Sequence, residues 1–252
     1  MITVKNLTKK YSDDIIALNN VTFELNKGEI IGLIGTNGAG KSTTVKILSG
    51  LLDYNSGDVK VMGLDAMKQQ LEIKKIIGYV PESPNLFNSL SVLEYLNFIG
   101  EIRELDKTLL QKRINNFAKF FSFDQYMNES LGILSKGNKQ KVLITSGLLH
   151  DPEVIYFDEP LNGLDANSIF AFQDLVAFLK SQNKIILYCS HLLNTIEKIS
   201  TRIIYLDKGE IKIDKPTEEI RNSENYTDLE NMFREISVHS DSEKFPVTEL
   251  FK

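Results

Sequence analysis

The sequence predicts an α/β fold: a mainly parallel sheet covered by helices, an N-terminal antiparallel β-subdomain and an inserted α-helical subdomain. Three observations carry that expectation. Apolar runs at residues 30–34, 154–157 and 184–189 read as strands buried on both faces, with helical patterns between them. The first run passes through a glycine-rich loop into a helix, which is how an α/β unit begins. Residues 91–130 place their apolar side chains at helical spacing and read as an all-helical insert.

From the N-terminus, residues 2–4 and 21–25 read as strands, the second with alternating character, after a polar loop at 12–14. Residues 29–34 form a buried strand. Residues 41–49 form a helix closed by Gly50. In the insert, Leu93, Leu96 and Ile99 fall at helical spacing, as do Ile114, Phe117 and Phe120. Residues 169–180 form a helix with Phe170, Leu175, Val176 and Leu179 facing inward. Residues 203–206 and 210–213 resemble a terminal hairpin across Lys208 and Gly209. The chain turns polar from Lys215 onward, with a short amphipathic helix at 228–236 and an expected mobile end over the last dozen residues.

Bulk properties narrow the function classes. A chain of 252 residues holds one large domain or two small ones, and 42% hydrophobic with 25% charged residues is ordinary for a soluble globular protein. A net charge of -5 argues against a nucleic-acid binder, which carries a basic face or stripe, so no nucleic acid is expected as partner. The single cysteine, Cys189, excludes an intrachain disulfide and reads as a small core residue in an apolar strand. The first eleven residues hold Lys5, Lys9 and Lys10 and no apolar core of a secretory signal. No apolar run approaches the roughly 20 residues that span a bilayer. Work at a membrane therefore requires docking on a partner.

Gly35-Thr36-Asn37-Gly38-Ala39-Gly40-Lys41-Ser42 matches the phosphate-binding pattern of glycine, four residues, glycine, lysine and serine or threonine. The glycines let backbone amides curl around phosphate oxygens. The helix that starts at Lys41 points its positive end at the anion. Lys41 adds charge for the outer phosphates, and the Ser42 hydroxyl suits Mg²⁺. A glycine-rich turn alone would be bland, but this one follows a buried strand and opens a helix. The strand at 154–157 ends in Asp158 and Glu159. At the carboxyl end of a parallel strand, Asp158 would face the phosphate-loop crevice. It would hold the magnesium shell there, and Glu159 would orient or deprotonate the attacking water.

Further motifs narrow the family. Leu134-Ser135-Lys136-Gly137-Asn138-Lys139-Gln140-Lys141 resembles the signature motif of ABC-type ATPases, usually read Leu-Ser-Gly-Gly-Gln. Asn162-Gly163-Leu164-Asp165 resembles that family's D-loop, and Cys189-Ser190-His191 its switch histidine. Tyr11 matches the aromatic that stacks on adenine, and Gly78-Tyr79-Val80-Pro81-Glu82 sits where the family has its Q-loop. The resemblance covers about residues 1–215 in the right order. It implies an ATPase domain at 1–215, with the helical subdomain inserted at about 91–145, and a C-terminal extension at 216–252.

The resemblance also implies roles. Tyr11 would stack on adenine, and Lys41, Ser42 and Thr43 would hold phosphates and metal. Asp158 would serve Mg²⁺, with Glu82 as a further oxygen ligand; Glu159 would serve the water, and His191 both water and γ-phosphate. Ser135, Gly137 and Asp165 would act across a head-to-tail dimer that sandwiches two nucleotides. Three residues depart from the pattern: Lys136 and Asn138 in the signature, and Glu82 where glutamine is expected. Pro81-Glu82 with Ser135-Lys136-Gly137 is similar to a bacterial export subgroup whose membrane subunit is a separate chain. The expected function is thus ATP binding and hydrolysis that powers transport through an integral membrane permease subunit. The partners are that permease and a second ATPase subunit, and the place is the cytoplasmic face of the cell membrane. The alternatives are a non-transport ABC ATPase acting on nucleic acid or ribosomes, and a regulatory module that binds ATP with little turnover. The first lacks the sustained heptads or the second phosphate loop that its varieties carry.

Overall fold

A computed structural model describes residues 1–12, 14–83, 86–223 and 226–238. The C-terminal dozen, Asp13 of the polar loop and His239 lie outside the described residues.

The chain opens with a long antiparallel pair, β1 (Ile2–Ser12) and β2 (Ile15–Leu25), with Ile2 opposite Leu25 and Ser12 opposite Ile15. Both strands run further than the sequence pattern marks. Their inner halves alternate buried and exposed residues; the outer half of β1 is mostly polar, whereas that of β2 exposes the apolar Ile15 and Ile16, so neither shows the alternation that marks a half-buried strand. β3 (Ile30–Gly35) is buried along nearly its whole length and leads through the glycine-rich loop into α1 (Lys41–Leu48). β4 (Ser56–Val61) pairs antiparallel with β1, and the short β5 (Leu64–Asp65) completes a four-stranded sheet in the order β2-β1-β4-β5. This is the expected antiparallel subdomain.

α2 (Gln70–Ile76) leads into β6 (Ile77–Val80). The helical insert follows. α3 (Val92–Ile102) opens on a capping box, in which Ser91 and Glu94 exchange side-chain and backbone hydrogen bonds. α4 (Lys107–Phe120) is capped by Asp106, and α5 (Lys136–Leu148) by Ser135, with two single-turn 3-10 segments between them. β7 (Val154–Asp158), α6 (Ala166–Ser181), β8 (Ile185–Cys189), α7 (Leu193–Ile199) and β9 (Arg202–Asp207) rebuild the α/β alternation. β10 (Glu210–Pro216) closes the expected hairpin, and α8 (Thr217–Arg221) and α9 (Leu229–Val238) end the described chain. The second sheet has the order β10-β9-β3-β8-β7-β6, parallel throughout except for β10 against β9.

The six-stranded sheet separates two cores, and β8 shows how. Ile186 and Tyr188 point into the core shared with the helical insert, while Ile185, Leu187 and Cys189 point into the core shared with the antiparallel sheet. One expectation fails on α6. Leu175, Val176 and Leu179 face inward, but Phe170 is 63% exposed. The buried stripe is set by Ser168, Phe172, Leu175, Val176 and Leu179, and Phe170 falls on the opposite side of the helix. Phe172 takes the inward aromatic place, edge-on to Phe157 with ring centroids 4.9 Å apart. The polar C-terminal segment also contributes to the core, where Ile220 and Leu229 are buried and Phe233 stacks edge-on against Tyr205.

Candidate active site

β3, β8 and β7 are parallel neighbours, so their carboxyl ends share one edge of the sheet. That edge collects Gly35, the Ser190–His191 turn, and Asp158 with Glu159. The phosphate loop turns tightly between β3 and α1. Gly40 has φ 110°, and a Cβ there would stand 2.5 Å from the Ala17 carbonyl oxygen, so the position accepts only glycine. At Gly35 a Cβ would stand 2.2 Å from the Leu206 carbonyl oxygen. Lys41 folds back over the loop, its Nζ donating to the carbonyl oxygens of Gly35 at 2.8 Å and Thr36 at 3.1 Å. Thr36, Asn37, Gly38 and Ala39 complete the curl, which the Ala39 amide closes onto the Thr36 carbonyl at 3.1 Å.

Asp158 is buried at the end of β7, and the Ser42 hydroxyl donates to its carboxylate. Burial pushes the Asp158 carboxyl above its usual range, and the charges of Glu82 and Glu159 push it further, against Ser42 and Lys41. Carboxylates held together in this way favour a cation. Ser42, Asp158 and Glu82 offer hard oxygen donors, the kind Mg²⁺ takes while keeping waters and phosphate oxygens in its shell.

Glu159 is placed by backbone strain and side-chain bonds together. It adopts φ 50°, the left-handed region, and its amide donates to the Cys189 carbonyl at 2.9 Å. The turn aims the carboxylate across to the end of β8. There Oε2 accepts from the Ser190 hydroxyl at 2.8 Å, and Oε1 lies 2.9 Å from Nδ1 of His191. An N–H on Nδ1 donates to the carboxylate and leaves Nε2 free to face a ligand. Ser190 also accepts from the Leu192 amide at 3.1 Å and so braces the turn that carries His191. The sequence motif contained Ser190, but its role needed the register of β7 against β8.

Tyr11 stands exposed near the end of β1. Its hydroxyl lies 3.3 Å from the Thr43 hydroxyl, and the Lys9 amine lies 5.2 Å from its ring centroid. These contacts bring Tyr11 to the first turn of α1, beside the phosphate loop. Ser135, Gly137 and Asp165 form a second group. Ser135 caps α5 by accepting from the Asn138 amide at 3.2 Å, and Asp165 caps α6 by accepting from the Ser168 amide at 2.9 Å. Gly137 lies so close to the D-loop that a Cβ would stand 2.5 Å from the Gly163 carbonyl oxygen. Among the remaining histidines, His150 is structural: its ring Nε2 is 2.8 Å from the Ile77 carbonyl, and burial lowers its pKa to about 4.

Residues 18–162, more than half of the chain, match the family model described as ABC transporter. The chain is 33% identical over 237 residues to the ABC transporter ATP-binding protein NatA of Bacillus subtilis (strain 168), covering 92% of this chain and 96% of that protein. It is similar to a solved ATP binding subunit of an ABC transporter, with TM-score 0.88 and 29% identity over 94% of this chain and 99% of that one. A dimeric post-hydrolysis state of the ATP-binding cassette MJ0796, bound to ADP and Pi, matches with TM-score 0.78 and 27% identity, covering 86% and 99%. The family match and the shared fold place this chain in the ABC transporter family, as one of its ATP-binding, ATP-hydrolysing subunits.

Proposed function

We propose that this chain drives export of a substrate through a separate integral membrane permease subunit, paired head to tail with a second ATPase subunit on the cytoplasmic face of the cell membrane. The observation that carries the hydrolytic part is the bonded set of Glu159, Ser190 and His191 beside Asp158. A chain that only held ATP for regulation would have no need of a carboxylate so oriented. Among the described residues, no helix is long and apolar enough to cross a membrane, which fits a subunit that docks on a membrane partner.

In this reading the Tyr11 ring stacks on adenine. The backbone of residues 35–40, with Lys41 and Thr43, cradles the phosphates. Ser42, Asp158 and Glu82 hold Mg²⁺, which when bound neutralises charge on the β- and γ-phosphates. Glu159 takes or orients the proton of the attacking water, and His191 keeps that water and the γ-phosphate in line. Ser135, Gly137 and Asp165 meet the nucleotide held by the second subunit. Export as the direction is supported by the pairing of Pro81-Glu82 with Ser135-Lys136-Gly137.

Co-purification of the tagged chain from detergent-solubilised membranes of its own host tests the proposal. Recovery of a multi-span membrane protein, with ATP turnover by the complex, is the expected result. Recovery of ribosomal or DNA-associated chains and no membrane chain would overturn it.

A further inference from the structure

The segment from Pro160 to Asp165 is tied to α5 at three points along that helix. Gln140, fully buried, donates from Nε2 to the Pro160 carbonyl at 3.0 Å. The backbones of Gly137 and Gly163 touch closely enough to exclude a Cβ. At the third point, Lys141 Nζ lies 3.4 Å from Asp165 Oδ2. The Lys141 side chain is 8% exposed and that of Asp165 is 62% exposed. Lys141 and Asp165 line a groove of about 320 Å³ together with Phe120, Phe121, Ser168 and Ala171. Three elements meet there: the end of α4 in the helical insert, the signature helix α5, and the start of α6.

We propose that Lys141 is a positioning residue for ATP hydrolysis: it holds the Asp165 carboxylate from the signature helix and so sets where the D-loop meets the second subunit. The proposal rests on the reading above that Asp165 acts across the dimer. The dependence within the pair is one-sided. Asp165 accepts from the Ser168 amide and hydroxyl, both at 2.9 Å, and is open to water, so it keeps its cap without Lys141. The Lys141 side chain is buried along a groove that Phe120 and Phe121 also line, and a buried amine needs a counter-charge. The two Ser168 bonds do most to favour the ionised Asp165 carboxylate, and the charge of Lys141 adds less. What it does add is a second anchor for the direction of that capped carboxylate, tying Oδ2 at the head of α6 to α5. It also makes that direction follow the helical insert, because Phe120 and Phe121 wall the same groove.

Three variants of the full chain test this: Lys141→Met, Asp165→Asn and the double variant. Asparagine keeps the helix cap while removing the charge. Phosphate release, Tm and binding of ATP by the monomer are measured for each. ATP-driven dimerisation is measured after adding each change to a Glu159→Gln background. The expected result is a kcat reduced about tenfold in both single variants and no lower in the double, because the two residues act as one unit. ATP affinity of the monomer should stay within about twofold of wild type. Lys141→Met should show no fall in Tm, because methionine suits the aromatic groove, whereas Asp165→Asn strands the amine and lowers Tm. Lys141→Arg should restore turnover and dimerisation.

Impaired Asp165→Asn with wild-type Lys141→Met would overturn the proposal and leave the interface role of Asp165 standing. Wild-type turnover in both singles would overturn both. Losses that multiply in the double variant, or a kcat that falls only as Tm falls, would reduce Lys141 to an ordinary structural contact and overturn the proposal.

Discussion

Replacing Glu159 by glutamine separates binding from hydrolysis, and the structure sets the size of each effect. The carboxylate accepts from the Ser190 hydroxyl through Oε2 and faces His191 Nδ1 through Oε1. Glutamine fills the same volume but has a single acceptor oxygen and an NH2 donor, so one of these two bonds must reverse its direction or be lost, and loss is the upper limit of the cost. Losing a hydrogen bond to a charged group costs about 1.5–3 kcal/mol. Glu159 is buried, however, and exchanging a buried charge for a neutral amide returns a comparable desolvation cost. The net change in folding stability is therefore about 1 kcal/mol or less, which moves Tm by about 4 °C at most in a chain of this size. The chemical step has no such compensation. Without the carboxylate as base, turnover falls about 10²- to 10⁴-fold, equivalent to about 3–5 kcal/mol of barrier. The phosphate loop lies on another strand and is untouched, so ATP still binds. The assay pairs phosphate release with size-exclusion chromatography at millimolar ATP. Slow hydrolysis with a persistent ATP-bound dimer is expected. Turnover within about threefold of wild type, at unchanged Tm, would refute the role given to Glu159.

Ser190→Ala removes the hydroxyl that donates to Glu159 and accepts from the Leu192 amide. Turnover should drop about tenfold with ATP affinity unchanged, and steady-state kinetics would show this as a fall in kcat alone. Leu229→Ala truncates a fully buried side chain where α9 meets the core. A loss of about 2–5 kcal/mol in urea unfolding is expected if residues 226–238 fold onto the ATPase core, and a loss near zero would mean they do not. His150 contributes an acid dependence. Its folded pKa is lowered to about 4 by burial, so the unfolded chain binds the extra proton first as pH falls. Its stabilisation is therefore present above about pH 6.5 and is lost between there and pH 4, by roughly 2–3 kcal/mol. Unfolding of His150→Asn should show a correspondingly flatter pH dependence across that window.

What the sequence revealed divides along a physical line. The strands buried on both faces, residues 30–34, 154–157 and 184–189, were legible because burial imposes an unbroken apolar run. The outer halves of β1 and β2, with β4 and β5, were not, because β2 exposes the apolar Ile15 and Ile16 there and the other segments offer few apolar positions, so little alternation shows. Phe170 was misjudged for a related reason: a helix with several aromatic residues carries two candidate faces, and only packing against Phe157 selects Phe172. Within the site, Lys41, Ser42, Asp158 and Glu159 were legible because each lies in a contiguous motif. The tie from Ser190 to Glu159 and the tie from Lys141 to Asp165 join residues 31 and 24 positions apart. The first depends on the register of β7 against β8 and the second on helix packing, and local pattern encodes neither.

The same distinction explains why Glu159 tolerates its backbone conformation. A left-handed residue other than glycine costs about 1–2 kcal/mol. An extended backbone here would have continued β7 and pointed the carboxylate along the sheet edge toward solvent. The positive φ instead turns the chain one residue after Asp158, so that consecutive carboxylates serve different partners. Asp158 stays on the strand and meets Ser42 of α1, while Glu159 leaves it and meets Ser190 and His191 just past the end of β8. The cost is offset by the amide bond to Cys189 and by the two side-chain contacts, all of them on β8 or just beyond it. Whatever shifts the turn after β8 therefore shifts the carboxylate as well. Glu159 and His191 move as a pair, a coupling that follows from adjacent parallel strands ending at the same height.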